Sequence, residues 1–199
     1  RGGAEIIKLE NAHRRSAGAP SGQISLARSV STGRVALSSR SPPVRLVPMT
    51  DRQREDALEE EAVEYADAKV RAGIWSREEA LDRSHAEIRG LVGARPEERG
   101  HEFFMGVDAS GDRVGWIWLG PVPTADASPS TRWLYQIVVD ASLRGRGFGR
   151  GLLRAAEGHL LVQGRMEIAL NVFRWNSAAV ALYASSGYDV AFQDDRALE

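Results

Sequence analysis

The stretch Trp133–Gly151, WLYQIVVDASLRGRGFGRG, limits more than any other what this chain can fold into. In an extended backbone, successive side chains point to opposite faces. Trp133, Tyr135, Ile137 and Val139 therefore share one face, and Leu134, Gln136 and Val138 the other. Both sets are largely apolar, as in a strand inside a sheet that is covered on both sides. Asp140-Ala141-Ser142 breaks the run. Beyond Gly151, the residues Leu152, Leu153, Ala156, Leu160 and Leu161 recur at helical spacing. The order strand, glycine-rich turn, helix points to an α/β architecture.

The turn carries the chemistry. Arg144-Gly145-Arg146-Gly147-Phe148-Gly149-Arg150-Gly151 places glycines where the backbone must bend tightly and where a ligand can come close to the amides. The first N–H groups of the following helix have no intrahelical acceptor and carry partial positive charge. Such an end suits a pyrophosphate, and Arg144, Arg146 and Arg150 add fixed charge. A dinucleotide fingerprint would need a third glycine where Arg150 stands, and a P-loop would need a terminal Gly-Lys-Ser/Thr. An Arg-Gly tract of the RNA-binding kind is low in complexity, whereas this turn joins two apolar elements.

A second segment follows. MEIALNV, residues 166–172, reads as the next strand, parallel to the first and reached through the helix by a right-handed crossover. After Phe173-Arg174-Trp175 comes a helix over 177–186, with Gly187 as its stop. Asn176, Ala179, Val180 and Tyr183 fall on one helical side. Asn176 also suits an N-cap, and Tyr183 also suits a core.

Arg144-x-x-Gly147-x-Gly149, together with Asn176-x-x-Ala179-x-x-x-Tyr183-x-x-x-Gly187-Tyr188, resembles the two signature blocks of the GNAT (Gcn5-related) N-acetyltransferases. The resemblance runs from about Val44 to about Val190. It implies an α/β (α+β) acyl-CoA N-acyltransferase fold, a mixed and mostly antiparallel sheet whose central parallel strands splay apart. It implies acetyl-CoA as cosubstrate and transfer to a primary amine in a ternary complex. By resemblance, the backbone of Ile137, Val138 and Val139 lies along the pantetheine, and the Ile137 amide polarises the thioester carbonyl. Arg144, Gly145, Arg146, Gly147, Phe148, Gly149 and Arg150 hold the pyrophosphate, and Asn176 contacts the pantetheine region. The Tyr183 hydroxyl lies beside the thioester sulfur and protonates the leaving thiolate. Tyr65, Trp75, His85 and Gln136 are acceptor-side candidates, with plain packing as the competing role for Tyr65, Trp75 and His85.

The chain departs from the family in one place. Many members carry an acid on the strand before the turn, and here Gln136 and Val138 stand there. The general base is therefore unassigned, with a water relay from Glu102 as one option. A CoA-binding regulatory or interaction module with little turnover is the alternative that this departure leaves open.

Other features narrow the class. Twenty-six basic against 27 acidic residues, a net charge of −1, disfavour a dedicated nucleic-acid binder. The chain holds no cysteine, which excludes disulfides and a cysteinyl acyl-enzyme. Its four histidines, His13, His85, His101 and His159, lack metal-ligand spacing. No apolar run approaches a membrane span and no signal-peptide pattern is visible, so the expected compartment is the cytoplasm. A homodimer is compatible with all of this.

Residues 1–43 differ in composition, rich in Ser, Gly, Ala and Arg, with the acids Glu5 and Glu10 only. They are expected to form an extension outside a domain over 44–199, so that deleting them leaves activity. Ile24, Leu26, Val30, Val35 and Leu37 around Ser31-Thr32-Gly33 also suit a hairpin. Beyond them, Val44–Thr50 reads as a strand. A helix capped at Thr50 or Asp51 follows, with Leu58, Ala62, Tyr65, Ala66 and Val70 as its apolar stripe. Ser76 and Glu79 form a capping box for a second helix that turns Leu81, His85, Ile88, Leu91 and Val92 inward. His101–Asp108 and Arg113–Leu119 read as a hairpin closed by Ser110-Gly111-Asp112, with a bulge permitted at Gly115. Tyr188–Phe192 starts a last strand, and the charged residues 193–199 suggest that the family's final strand is short or absent.

Overall fold

The computed structural model of the chain describes residues 23–30, 41–123 and 128–193. Seven strands form one sheet: β1 (Gln23–Ser29), β2 (Arg45–Pro48), β3 (Glu102–Val107), β4 (Arg113–Gly120), β5 (Thr131–Val139), β6 (Glu167–Phe173) and β7 (Asp189–Gln193). Their spatial order is β2-β3-β4-β5-β6-β1-β7. The pair β5–β6 is parallel and the other neighbours are antiparallel. The helices are α1 (Asp51–Arg71), α2 (Ala80–Val92), α3 (Phe148–Val162) and α4 (Ser177–Ser185).

Alternation along β4 divides the core. Trp116 and Trp118 point to the face where Ala57 and Ala62 of α1 and Ile88 and Val92 of α2 pack. Ile117 and Leu119 point to the opposite face, beneath Leu153, Ala156 and Leu160 of α3 and beside Tyr183 of α4. The helix starts follow their side chains. Thr50 caps α1 in a complete capping box with Gln53. At α2, Glu79 reaches back to the Ser76 amide at 3.5 Å, but the helix itself begins at Ala80. That delay turns Leu81 outward, 42% exposed, and buries Ala80 and Ser84 instead. Ser84 is satisfied there by donating to the Ala62 carbonyl at 2.7 Å.

Two irregularities re-aim side chains. Gly115, at φ +154, sits beside the shift in register between β3 and β4; a Cβ there would fall 2.0 Å from the Val138 carbonyl oxygen. In β5, Gln136 pairs with Trp118 but Leu134 pairs with Leu119, so Tyr135 is an extra residue. Such a bulge reverses the alternation. Leu134 therefore lies with Ile137 on the α3 face. This corrects the simple alternation expected, which put Leu134 with Gln136.

The fold also reaches further towards the N-terminus than composition places it. Residues 23–29, expected within an external extension, form a strand between β6 and β7. β1 pairs with all seven residues of β6, from Gln23 opposite Phe173 to Ser29 opposite Glu167. Leu26, Ala27 and Val30 are buried. Arg28 pairs with Glu157 of α3 at 2.9 Å and also donates to the Ser186 carbonyl. The physical reason is that β6 is apolar and needs a partner on each edge. The turn expected at Ser31-Thr32-Gly33, with Val35 and Leu37, lies outside the described residues, as do residues 194–199.

Candidate active site

Strands β5 and β6 pair only at Thr131–Trp133 with Glu167–Ala169, and from there to Val139 and Phe173 they run without pairing to each other. A wedge thus opens towards the glycine-rich turn. Gly145 and Gly147 take φ +75 and +89, a region that side chains rarely adopt. The bond from the Gly151 amide to the Gly147 carbonyl, at 3.1 Å, is the first of α3. The amides of Phe148, Gly149 and Arg150 have no such acceptor, and Gly147 supplies no side-chain cap. A Cβ on Gly149 would lie 3.1 Å from Leu182 of α4 and 3.7 Å from Val139. The helix start, the end of β5 and α4 therefore meet at one point.

The arginines of the turn hold the protein together as well as charging it. Arg144 Nε donates to the Val139 carbonyl at 3.1 Å, and Arg150 donates to Ser185 Oγ at 2.8 Å. Arg146 is exposed. The Asn176 oxygen accepts from the Ala179 amide at 3.2 Å, so this residue does cap α4. Tyr183 is 5% exposed, its ring 5.5 Å from that of Tyr188. Burial pushes its phenol above the usual tyrosine range, which keeps the proton on oxygen throughout the physiological range.

The bulge gives the wedge its wall. Gln136, on the α1 side, donates through Nε2 to Glu61 Oε2 of α1. The Gln136 oxygen accepts from the Ile137 amide at 2.9 Å. Burial raises the Glu61 carboxyl to about 8, the Gln136 hydrogen bond opposing the shift and Glu64 and Glu60 adding to it. Glu64 is raised in the same way by burial and by Glu60, with Arg144 pulling against them. Glu61 is missing from the residues that the sequence pointed to. Its signal is its place four residues from both Ala57 and Tyr65, on the apolar side of α1.

The remaining candidates separate. Trp75 is 6% exposed and packs edge-on against Tyr65 at 5.4 Å, with Lys69 and Arg83 over its ring. The Tyr65 hydroxyl donates to Glu87 at 3.1 Å. This is a packed cluster at the ends of α1 and α2. His85, expected to turn inward, pairs with Glu59 at 3.0 Å. Glu102, offered as a relay, accepts from Gln163 at 2.8 Å and pairs with His159 at 2.9 Å, both near the far end of α3. Its register opposite Leu119 places it at the paired end of β5, away from Ile137. Among the described residues, no group of three or more histidine, aspartate or glutamate side chains could hold a metal.

The model of the acetyltransferase (GNAT) family matches residues 55–188. The chain belongs to the GNAT acetyltransferase family. Among its relatives is the uncharacterised N-acetyltransferase YdgE of Bacillus subtilis, 26% identical over 124 residues, 62% of this chain and 78% of the other. YycN of the same organism is 26% identical over 145 residues, 73% of this chain and 92% of the other. The crystal structure of YycN superposes with a TM-score of 0.67 over 78% of this chain and 96% of that one. The PaiA N-acetyltransferase of Thermoplasma acidophilum, solved in complex with coenzyme A, shares the fold at 19% identity and a TM-score of 0.52, covering 76% of this chain and 93% of that one. The protein is thus a GNAT acetyltransferase, a family that uses an acyl-CoA donor and an amine acceptor. The residues present fit such a donor: three amides without helical acceptors stand at the start of α3, beside a strand whose Ile137 amide donates to the Gln136 side-chain oxygen. No helix among the described residues is long and apolar enough to cross a membrane.

Proposed function

We propose that the protein transfers the acetyl group of acetyl-CoA to a primary amine by direct attack in a ternary complex. The observation that carries this reading is the wedge between β5 and β6, open from Trp133 onward, with the glycine-rich turn at its mouth. The diphosphate of the donor would be held by the amides from Gly145 to Arg150, with Arg146 free to add charge. Its pantetheine would run along Ile137–Val139, with Asn176 beside it. The Ile137 amide would donate to the thioester carbonyl, where one oriented donor contributes about 3 kcal/mol to the transition state. Tyr183, kept protonated by burial, would give its proton to the departing sulfur.

Thiol release is the test. Acetyl-CoA should yield free CoA when supplied with at least one member of a panel of small amines, peptide amines and protein lysines. Propionyl- and succinyl-CoA run in parallel define the acyl group. A donor preference for a longer acyl chain would overturn the acetyl assignment. The second reading, a CoA-binding module with little turnover, is favoured by the Gln136 oxygen already seated on the Ile137 amide. Tight acetyl-CoA binding without thiol release across the panel would select it.

A further inference from the structure

The proposed transfer leaves one step without a group. The amine arrives as an ammonium ion, and its lone pair must be freed before attack. The strand position where an acid would stand holds Gln136, which makes two contacts: Nε2 donates to Glu61, and the oxygen accepts from the Ile137 amide at 2.9 Å. One side chain therefore joins the carboxylate of α1 to the amide that the acyl carbonyl would need. The two bonds cannot both persist once that carbonyl takes the amide, because an N–H in this geometry serves one strong acceptor.

We propose that Glu61 takes the proton from the incoming amine, and that Gln136 acts as a latch which the acyl carbonyl opens by displacing the glutamine oxygen from Ile137. The inference rests on the transferase reading above. The protons and electrons balance. The ammonium gives one proton to the Glu61 carboxylate, which passes it to solvent. The nitrogen lone pair forms the bond to the acyl carbon, and the C–S bond breaks with its pair going to sulfur. Tyr183 gives sulfur a proton and regains the one that nitrogen sheds. The products are an amide, a thiol and one released proton.

The surroundings of Glu61 suit this work. Glu61 is half-buried, so the residue keeps part of its surface open to solvent. An ordinary glutamate would receive a proton from an alkylammonium with roughly a 10^6-fold penalty; at about 8, the value burial gives this one, the penalty falls to a few hundredfold. The charged groups that face it are Glu60 and Glu64 on the same helix, with Tyr65 beside them, Arg144 acting through Glu64 and Glu87 acting through Tyr65. This net negative edge also draws a cation towards the wedge. Three other candidates are engaged elsewhere: Glu102 with His159 and Gln163, His85 with Glu59, and His101 with Trp118.

The experiment compares wild type, E61Q, E61D and Q136L, each shown by circular dichroism to be folded. Acetyl-CoA affinity is measured by calorimetry, and kcat and KM are followed from pH 6.5 to 10 on whichever amine the wild type uses best. E61Q should bind acetyl-CoA within about threefold of wild type and lose about 100-fold or more in kcat at pH 7.5. The loss should shrink towards pH 10, where free amine is abundant, and E61D should recover part of it. Q136L, with no side-chain oxygen to displace, should bind acetyl-CoA at least as tightly as wild type. An E61Q whose kcat tracks wild type across this range overturns the assignment of the base, and weaker acetyl-CoA binding by Q136L overturns the latch. A wild type that binds acetyl-CoA but acetylates no amine overturns the transferase reading, a distinct failure that takes this inference with it.

Discussion

Replacing Leu26 by alanine asks whether the N-terminal strand is part of the fold or an ornament on it. Leu26 is 5% exposed, opposite Leu170 of β6 and Val190 of β7, and belongs to the same core as Leu153, Leu160 and Tyr183. Truncation removes roughly three methylene equivalents at ~0.8 kcal/mol each and leaves a cavity, so a loss of about 3 kcal/mol is expected, within the usual span of about 2–5. For a chain of this size that corresponds to a fall in Tm of about 6–12 °C. Urea unfolding followed by the five tryptophans reads the change, and the slope m should match wild type. Val162→Ala is the control: that side chain is 90% exposed and should shift stability by less than about 0.5 kcal/mol. If Leu26→Ala is as silent as the control, β1 does not occupy the sheet and residues 1–43 are an appendage after all. If the loss is large, deleting residues 1–43 should lower stability where deleting 1–22 does not.

Four further outcomes are expected. Tyr183→Phe should lower kcat by about tenfold or more while leaving acetyl-CoA affinity within about threefold, measured by thiol release and calorimetry; unchanged turnover would remove the hydroxyl from the chemistry. Gly147→Ala forces a side chain into φ +89 at the start of α3, at a cost of about 1–2 kcal/mol, and should weaken donor binding more than it weakens the fold. Glu61 is raised from 4.5 to about 8 in the folded chain, so the native state holds the extra proton between those values and its share of stability is lost as pH rises from about 5 to 8. His101 runs the other way: burial lowers it to about 4, so its share is lost as pH falls from about 6.5 towards 4. In E61Q the decline of stability between about pH 5 and 8 should flatten, by a few kcal/mol at most, in urea titrations across pH.

Much of the local geometry of the candidate site was legible because its signals are local. Gly145, Gly147 and Gly149 declare a turn and a bare helix start wherever they occur between a strand and an apolar helix. Asn176 and Tyr183 declare their common side by spacing alone. Glu61 was not legible, since a glutamate in a helix with eleven other acids and bases around it reads as solvated surface. Gln136 meets it because it pairs with Trp118 on the α1 face, and the shift at Tyr135 that moves Leu134 to the other face depends on the partner strand, Trp118–Leu119, not on β5 itself. The place of β1 was hidden for the same reason. Ile24, Leu26 and Val30 announce a strand, but nothing near them names a partner some 145 residues away. Leu81 shows the smaller version: the helix starts at Ala80, its buried stripe runs Ala80, Ser84, Ile88 and Val92, and Leu81 is left outside.

The insertion of β1 between β6 and β7 also orders events in time. Of the strands described, β1 leaves the ribosome first, yet both its neighbours are synthesised last. Until they emerge, Leu26 and Val30 have no apolar surface to settle on, and a nascent chain must carry them exposed through most of translation. Closing so long a loop is slow relative to forming the β3–β4 hairpin or α1. A molecular chaperone that shields those few residues would change the yield of this protein more than one acting anywhere in α1 or α2.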